Sequence, residues 1–224
     1  GSVERALTFL DRVVGPYPYA VLTLVDPPAD GPGAGGMEYP TLATGAASPL
    51  IPQRFRLPEL AIAHEVAHQY WYGMSANNEF EEAWLDEGIT TYCEVHILDA
   101  WFGPDRSMLS GGLGFSLGDG ALQRIAYLPF ADAAEILRLS WDYPDFATYG
   151  AVSYAKAGLV LLTLENDCGA AEADRLLRTF FERARFRHPT TADFLLAVRD
   201  VMGEREEALA RQLLGGTDTV NYRV

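Results

Sequence analysis

Lysine is almost missing from this chain: Lys156 is the single lysine among 17 basic residues, set against 31 acidic ones, for a formal charge of -14. A chain this poor in base lacks the positive face that phosphate contacts require, which excludes nucleic acid as a partner. Cysteine is scarce as well. Cys93 and Cys168 fit no paired metal-ligand spacing, and two cysteines fix neither a redox compartment nor a disulfide. Long apolar runs are missing too; the longest, Ala157 to Leu164, is too short for a transmembrane segment. What is present excludes the opposite extreme. Apolar residues make up 49% and aromatics 12%, enough to bury a core, so this is neither a disordered acidic tail nor a fibre. At 224 residues, one globular domain is the default expectation.

The charge is unevenly spread. Residues 1–112 carry 15 acids and 5 bases, whereas residues 113–224 carry 16 and 12. Between Leu57 and Asp105 there are ten acidic residues, no lysine or arginine, and three of the four histidines. An acidic surface commonly serves solubility. A base-free acidic stretch rich in histidine is, in addition, a place to look for a bound cation.

Glycine, proline and changes of period divide the chain. An amphipathic helix is expected over Val3 to Val14, a strand over Tyr19 to Val25, and a second strand over Met37 to Thr44 after the Gly- and Pro-rich segment 27–36. Helical periodicity begins at Leu57, with Pro58 in the first turn, and runs to about Tyr72 before Gly73. A second helix is expected from Glu81 to Trp101, ahead of Gly103-Pro104, then a glycine-rich loop from Met108 to Gly120. Helices follow over 121–127, 131–139, 148–167, 171–187, 192–202 (with Thr191 as its cap) and 204–214, and Thr219 to Arg223 reads as a last strand. The fold class is α+β: a small N-terminal sheet followed by a mainly helical body, without repeats or an obvious linker.

The decisive motif is His64-Glu65-Val66-Ala67-His68. Four residues are little more than one helical turn, so both imidazoles project from one face within reach of a single ion. Glu65, beside the first imidazole, can act as base toward a water on that ion. Glu87 follows after 18 intervening residues, in Trp84-Leu85-Asp86-Glu87-Gly88, on the helix that the turn after Gly73 brings back. Two histidines and one carboxylate leave a tetrahedral zinc with an open position, the ligand count of a catalytic site. Glu94, two turns after Glu87, shares its face and can hydrogen-bond a ligand imidazole. His96 faces elsewhere and is read as structural.

These residues resemble a known family. His64-Glu65-Val66-Ala67-His68-Gln69, the 18-residue spacer and Trp84-Leu85-Asp86-Glu87-Gly88 are similar to the aminopeptidase N type of zinc peptidase, family M-one of the gluzincins. Gly35-Gly36-Met37-Glu38-Tyr39 resembles the family's G-x-M-E-N motif, and Tyr154-Ala155-Lys156-Ala157-Gly158 its Y-x-K-G motif with one residue added. The resemblance implies a thermolysin-like catalytic domain over 1–224, with strands and zinc-binding helices in 1–100 and a helical lobe in 101–224. It implies one zinc ion on His64, His68 and Glu87, Glu65 as base, and Tyr154 as the hydroxyl facing the oxyanion of the tetrahedral intermediate. It also implies that Glu38 grips the free α-amino group of a peptide lying along Gly35, Gly36 and Met37, with Tyr149 lining the cleft. Flanking family domains are expected outside these residues, and the substrates implied are peptides with a free N-terminus.

Departures from the motifs are Tyr39 for Asn, Tyr70-Trp71-Tyr72-Gly73 for Trp-Phe-Gly-Asn, and Asp86 where Asn is common. They leave the ligands and the base intact but bear on the first specificity pocket. Two other readings stay open: a zinc endopeptidase or other hydrolase on the same scaffold, and a catalytically idle module of a larger protein.

Overall fold

Glycine stops set the lengths of the long helices. Gly103, Gly169 and Gly203 take φ values of 89°, 92° and 114°, conformations in which a Cβ is costly, and each directly follows the last residue of a helix. In the computed structural model, which describes residues 1–28, 31, 35–45, 52, 54–110 and 115–217, the chain is mainly helical with two small pairs of strands.

The order is α1 (Ser2–Val13), β1 (Thr23–Val25), β2 (Leu42–Thr44), α2 (Leu57–Ala67), α3 (Glu79–Glu82) and α4 (Trp84–Phe102). There follow β3 (Leu109–Ser110), β4 (Ser116–Leu117), α5 (Asp119–Tyr127), α6 (Phe146–Gly150), a π-helical segment (Ala151–Lys156), α7 (Ala157–Cys168), α8 (Ala170–Ala184), α9 (Thr191–Met202) and α10 (Glu204–Gly215). Helix α8 shows why the outer helices form: Ala173, Leu176, Leu177, Phe180, Phe181 and Ala184 are buried at helical spacing, one apolar stripe against the core. Helix α4 is different. It is buried on nearly every side from Trp84 to Leu98, with α2 packed on one flank and α7 on another. The core beside it is aromatic: Trp84 meets Phe194 edge-on at 5.1 Å, and Phe194 meets Phe180 at 5.3 Å. The indole N–H groups of Trp84 and Trp71 are satisfied by Thr191 Oγ1 and Cys93 Sγ. Cys93 and Cys168 are both free, and burial pushes the Cys93 thiol up to about 12.

Several elements differ from expectation, each for a local reason. Met37 to Thr44 is not one strand: Thr41 takes a positive φ of 64°, the chain doubles back, and Met37 bridges Thr44 antiparallel, leaving Leu42–Thr44 to pair in parallel with Thr23–Val25. Helix α2 ends at Ala67 and not near Tyr72, because the backbone closes with Gly73 N–H on His68 O while Tyr72 takes a φ of 86°. The glycine-rich segment contains the short antiparallel pair β3 and β4, and α5 already starts at Asp119. Residues 131–139 form turns and not a helix. Thr190, and not Thr191, caps α9, exchanging hydrogen bonds with Asp193. The expected strand at Thr219 to Arg223 lies outside the described residues, which extend to residue 217.

Candidate functional site

Helix α2 delivers His64 and Glu65, and its C-cap residue is His68; α4 runs beside it with Asp86, Glu87, Thr90 and Glu94. The close approach of the third wall depends on small residues. A Cβ on Gly88 would collide with Ala157 Cβ, and one on Gly158 would come within 3.0 Å of Thr91 Cγ2, so the two glycines let the Tyr154 segment lie directly against α4. That segment is π-helical over Ala151–Lys156.

The two imidazoles stand edge-to-face, their centroids 4.6 Å apart. Their Nε2 atoms lie 3.2 and 3.3 Å from the same oxygen, Glu87 Oε2. On the opposite side, His64 Nδ1 donates to Glu94 Oε2 at 2.7 Å and His68 Nδ1 to Asp86 Oδ1 at 2.5 Å, with Thr90 Oγ1 also 3.2 Å from His68 Nδ1. A carboxylate only accepts, so these contacts orient the rings and direct both Nε2 atoms inward. One donor atom each from His64, His68 and Glu87 falls within 4.8 Å of the others, an N, N, O set suited to one metal ion.

The electrostatics follow from burial and proximity. Burial works against a charge on His64, yet hydrogen bonds with Glu87 and Glu94 outweigh it and hold the pKa up at about 10. Burial likewise works to raise Glu87, but the hydrogen bonds and charges of the two histidines hold it well below the usual carboxylate range. Glu65 is raised, chiefly by burial. Its Oε2 is buried and has no hydrogen-bond partner, while its Oε1 lies 3.5 Å from where a Cβ on Gly36 would stand.

These groups open onto one cavity of about 360 Å³. Glu38, Glu65, Glu87 and Glu94 line it together with His64, His68, Gln123 and Tyr154, and among the described residues no lysine or arginine does. Tyr154 donates its hydroxyl to Glu87 Oε1 at 2.5 Å, and its ring stacks on His64. Of the other residues singled out in the sequence, Gly36 and Glu38 line the cavity, whereas Gly35 and Met37 lie beside it and do not. Tyr149 packs edge-on against Tyr154 at 6.0 Å, outside the lining. His96 lies away from the site and pairs with Glu165 at 2.7 Å.

Sequence reasoning missed four contributors. Asp86 stood out only as a departure from a motif, and Thr90 is one turn further along the same face. Gln69, beside His68, accepts from Thr41 N–H at 2.8 Å and donates to Tyr39 O at 3.2 Å, tying the loop that carries Glu38 to α2. Gln123 reaches Glu94 from α5, and nothing in the sequence links two residues 29 positions apart on different helices. For Asp86 the signal was present: an acid next to Glu87, in a base-free stretch, with a histidine to face.

Comparison with known proteins identifies the family. Residues 2–212 match the model of the peptidase family M1 domain. The chain is 28% identical over 212 residues to leucine aminopeptidase 2 of Coccidioides immitis, and 26% identical over 211 residues to leucine aminopeptidase 2 of Yarrowia lipolytica. These alignments cover 93% and 92% of the chain but 33% and 32% of the relatives, so the chain spans about a third of their length. Its fold is similar to that of M1 zinc metallopeptidase from Deinococcus radiodurans, with a TM-score of 0.73 at 20% identity over 99% of this chain and 45% of the other. It is also similar to leukotriene A4 hydrolase from Saccharomyces cerevisiae, with a TM-score of 0.69 at 24% identity, covering 95% and 34%. With the family model matched along nearly the whole sequence, the chain belongs to peptidase family M1.

Proposed function

We propose that this chain is the catalytic unit, thermolysin-like in arrangement, of a zinc-dependent aminopeptidase that removes N-terminal residues from peptides. The observation that carries the reading is the convergence of three metal-donor atoms within 4.8 Å on one cavity wall, with an unpartnered buried Glu65 oxygen beside them. Family membership and the names of the matched relatives support it.

The residues fit zinc. His64 and His68 offer nitrogen, Glu87 offers oxygen, and both imidazoles are backed by carboxylates. Zinc bound there supplies a Lewis acid that acidifies a water and polarises the scissile carbonyl. Glu65 takes the water's proton and hands it to the leaving amine; burial, by raising its pKa, suits it to both directions. Tyr154, held over His64 with its hydroxyl at Glu87, is placed to donate to the developing oxyanion. Glu38, on a loop tied to α2 through Gln69, holds the substrate's α-ammonium at a fixed distance from the metal site. Its surroundings suit a cation: carboxylate oxygens of Glu38, Glu79 and Asp86 lie within 4.8 Å of one another.

A panel of fluorogenic aminoacyl substrates, each with its N-acetylated counterpart, tests the reading. Turnover is expected of the free amines and not of the blocked forms. Preference for the blocked forms removes the aminopeptidase assignment and leaves an endopeptidase on the same scaffold.

A further inference from the structure

Glu38 has a neighbour to which the mechanism above gives no task. Glu79 opens α3, and one carboxylate oxygen each from Glu38, Glu79 and Asp86 lies within 4.8 Å of the others. Glu38 also lines the catalytic cavity, so the group adjoins the site and is not a separate one. The backbone around Glu79 is fixed from several directions. Asn78 caps α3 by accepting from Phe80 N–H at 3.2 Å, Ser140 Oγ donates to Glu79 O at 2.5 Å, and Asn77 Nδ2 donates to Glu82 O at 2.9 Å. The charges in the group do not balance. Asp86 is wholly buried and spends Oδ1 on His68, but its Oδ2 is buried with no hydrogen-bond partner. Glu38 and Glu79 are half-buried, and among the described residues neither forms an ion pair with lysine or arginine. Like charges held this close repel, and a buried acceptor without a donor is costly. Both call for a ligand that brings positive charge and N–H donors.

The α-ammonium of a peptide brings one positive charge, and Glu38 takes it. The first side chain leaves the carbon that bears this amine, so whatever the side chain carries at its tip is delivered close to the anchor. We propose that Glu79 is a specificity-determining residue: with Asp86 adding to the negative field, it favours peptides whose first residue ends in a cation, lysine or arginine. The inference rests on the aminopeptidase reading given above and narrows its substrate class. An ammonium or guanidinium group supplies the donors that these carboxyls lack, and a charge-assisted contact is stronger than a neutral one. Two other tasks for Glu79 compete. It stands in the first turn of α3, where an acid is favoured electrostatically whatever the substrate. Alternatively it reinforces Glu38 on the α-ammonium itself. The first leaves substrate choice untouched, and the second acts on every substrate alike.

Paired substrates separate the three. Norleucine has the carbon chain of lysine without its ammonium, and citrulline replaces the guanidinium of arginine by a neutral urea, so each pair differs in charge while sharing the α-amine. Values of kcat/KM for the four fluorogenic amides are measured on wild type and on Glu79→Gln, with zinc content and thermal melts as controls for folding. Wild type is expected to favour lysine over norleucine, and arginine over citrulline, by about tenfold, the order of one charge-assisted contact. In Glu79→Gln both ratios are expected to fall close to one. Wild-type ratios of one or below, ratios that survive in Glu79→Gln, or an equal loss on charged and neutral substrates overturns the inference and leaves the aminopeptidase reading standing. Absence of turnover on every free-amine substrate overturns that reading and the inference with it. Should Glu79→Gln not fold, Glu79→Ala takes its place in the same comparison, with the same ratios deciding.

Discussion

A buried carboxylate oxygen without a hydrogen-bond partner costs about 1–3 kcal/mol, yet Glu65 keeps Oε2 in that state at the wall of the cavity. Asp86 Oδ2 is in the same state, but Asp86 holds His68 through its other oxygen; Glu65, on the cavity wall, is left ready to bind a proton-bearing partner. Its neighbours make the same division. His64 and His68 spend their Nδ1 atoms on Glu94 and Asp86, which frees the Nε2 atoms for a ligand. Glu65→Gln keeps the shape and removes the proposed base, so kcat for a free-amine substrate is expected to fall by about 10²–10⁴ while the zinc content is unchanged. Turnover undiminished in that variant contradicts the mechanism. Asp86 adds a detail that the family pattern did not anticipate. An aspartate where asparagine is common gives His68 a carboxylate partner, and it is wholly buried to do so.

Among the elements, α4 matters most, because it is packed on one side by the histidine helix and on another by the tyrosine-bearing segment. Gly88 sits at the crossing. Gly88→Ala pushes the added methyl into Ala157, and overpacking of this kind costs about 1–3 kcal/mol. A lower melting temperature is expected together with a reduced kcat, since Tyr154 is displaced from Glu87; unchanged values in both would show that the crossing has slack. A second tie joins α4 to α7. His96, with Phe9 stacked parallel to it, pairs with Glu165, to which Tyr92 also donates. Burial works to raise Glu165, but His96 and Tyr92 together hold its pKa below the ordinary value of 4.5. A carboxyl lowered on folding contributes stability above its unfolded pKa and loses it as pH falls through the folded one. Melts of wild type and Glu165→Gln are therefore expected to differ at neutral pH and to converge in acid, once the pH has fallen through the lowered pKa of folded Glu165. A difference that persists at low pH would deny the ion pair its role.

The elements also show what the sequence made legible. Gly103, Gly169 and Gly203 mark helix ends legible in the sequence, because a helix stop that needs a positive φ selects glycine. Residues 131–139 look helical by composition but form turns, and the Met37 segment looks like a strand but folds back at Thr41. In both, tertiary packing overrode a short local pattern. At the site, His64, Glu65, His68, Glu87 and Glu94 could be found by counting along two helices. Gln69 and Gln123 could not, since their partners are set by how loops and α5 pack and not by spacing.

At the scale of the molecule, charge is the property with consequences. The base-free stretch from Leu57 to Asp105 supplies both histidines and three of the four cavity carboxylates. No helix among the described residues is long and apolar enough to cross a membrane. Buried apolar side chains gather in one core that includes much of α4. A divalent ion relieves the repulsion of the acidic wall and adds its own binding energy to folding, about 4 kcal/mol when zinc stands a thousandfold above its dissociation constant. The measurement closest to the central claim is therefore metal content. Wild type and Glu87→Gln are dialysed together against trace zinc, then analysed by elemental mass spectrometry, with thermal melts before and after chelation. One zinc per wild-type chain, its loss or marked depletion in Glu87→Gln, and a melting temperature lowered by chelator in wild type alone are the predicted results. A wild-type chain that takes up no zinc, or a variant that holds it as tightly, would contradict the account.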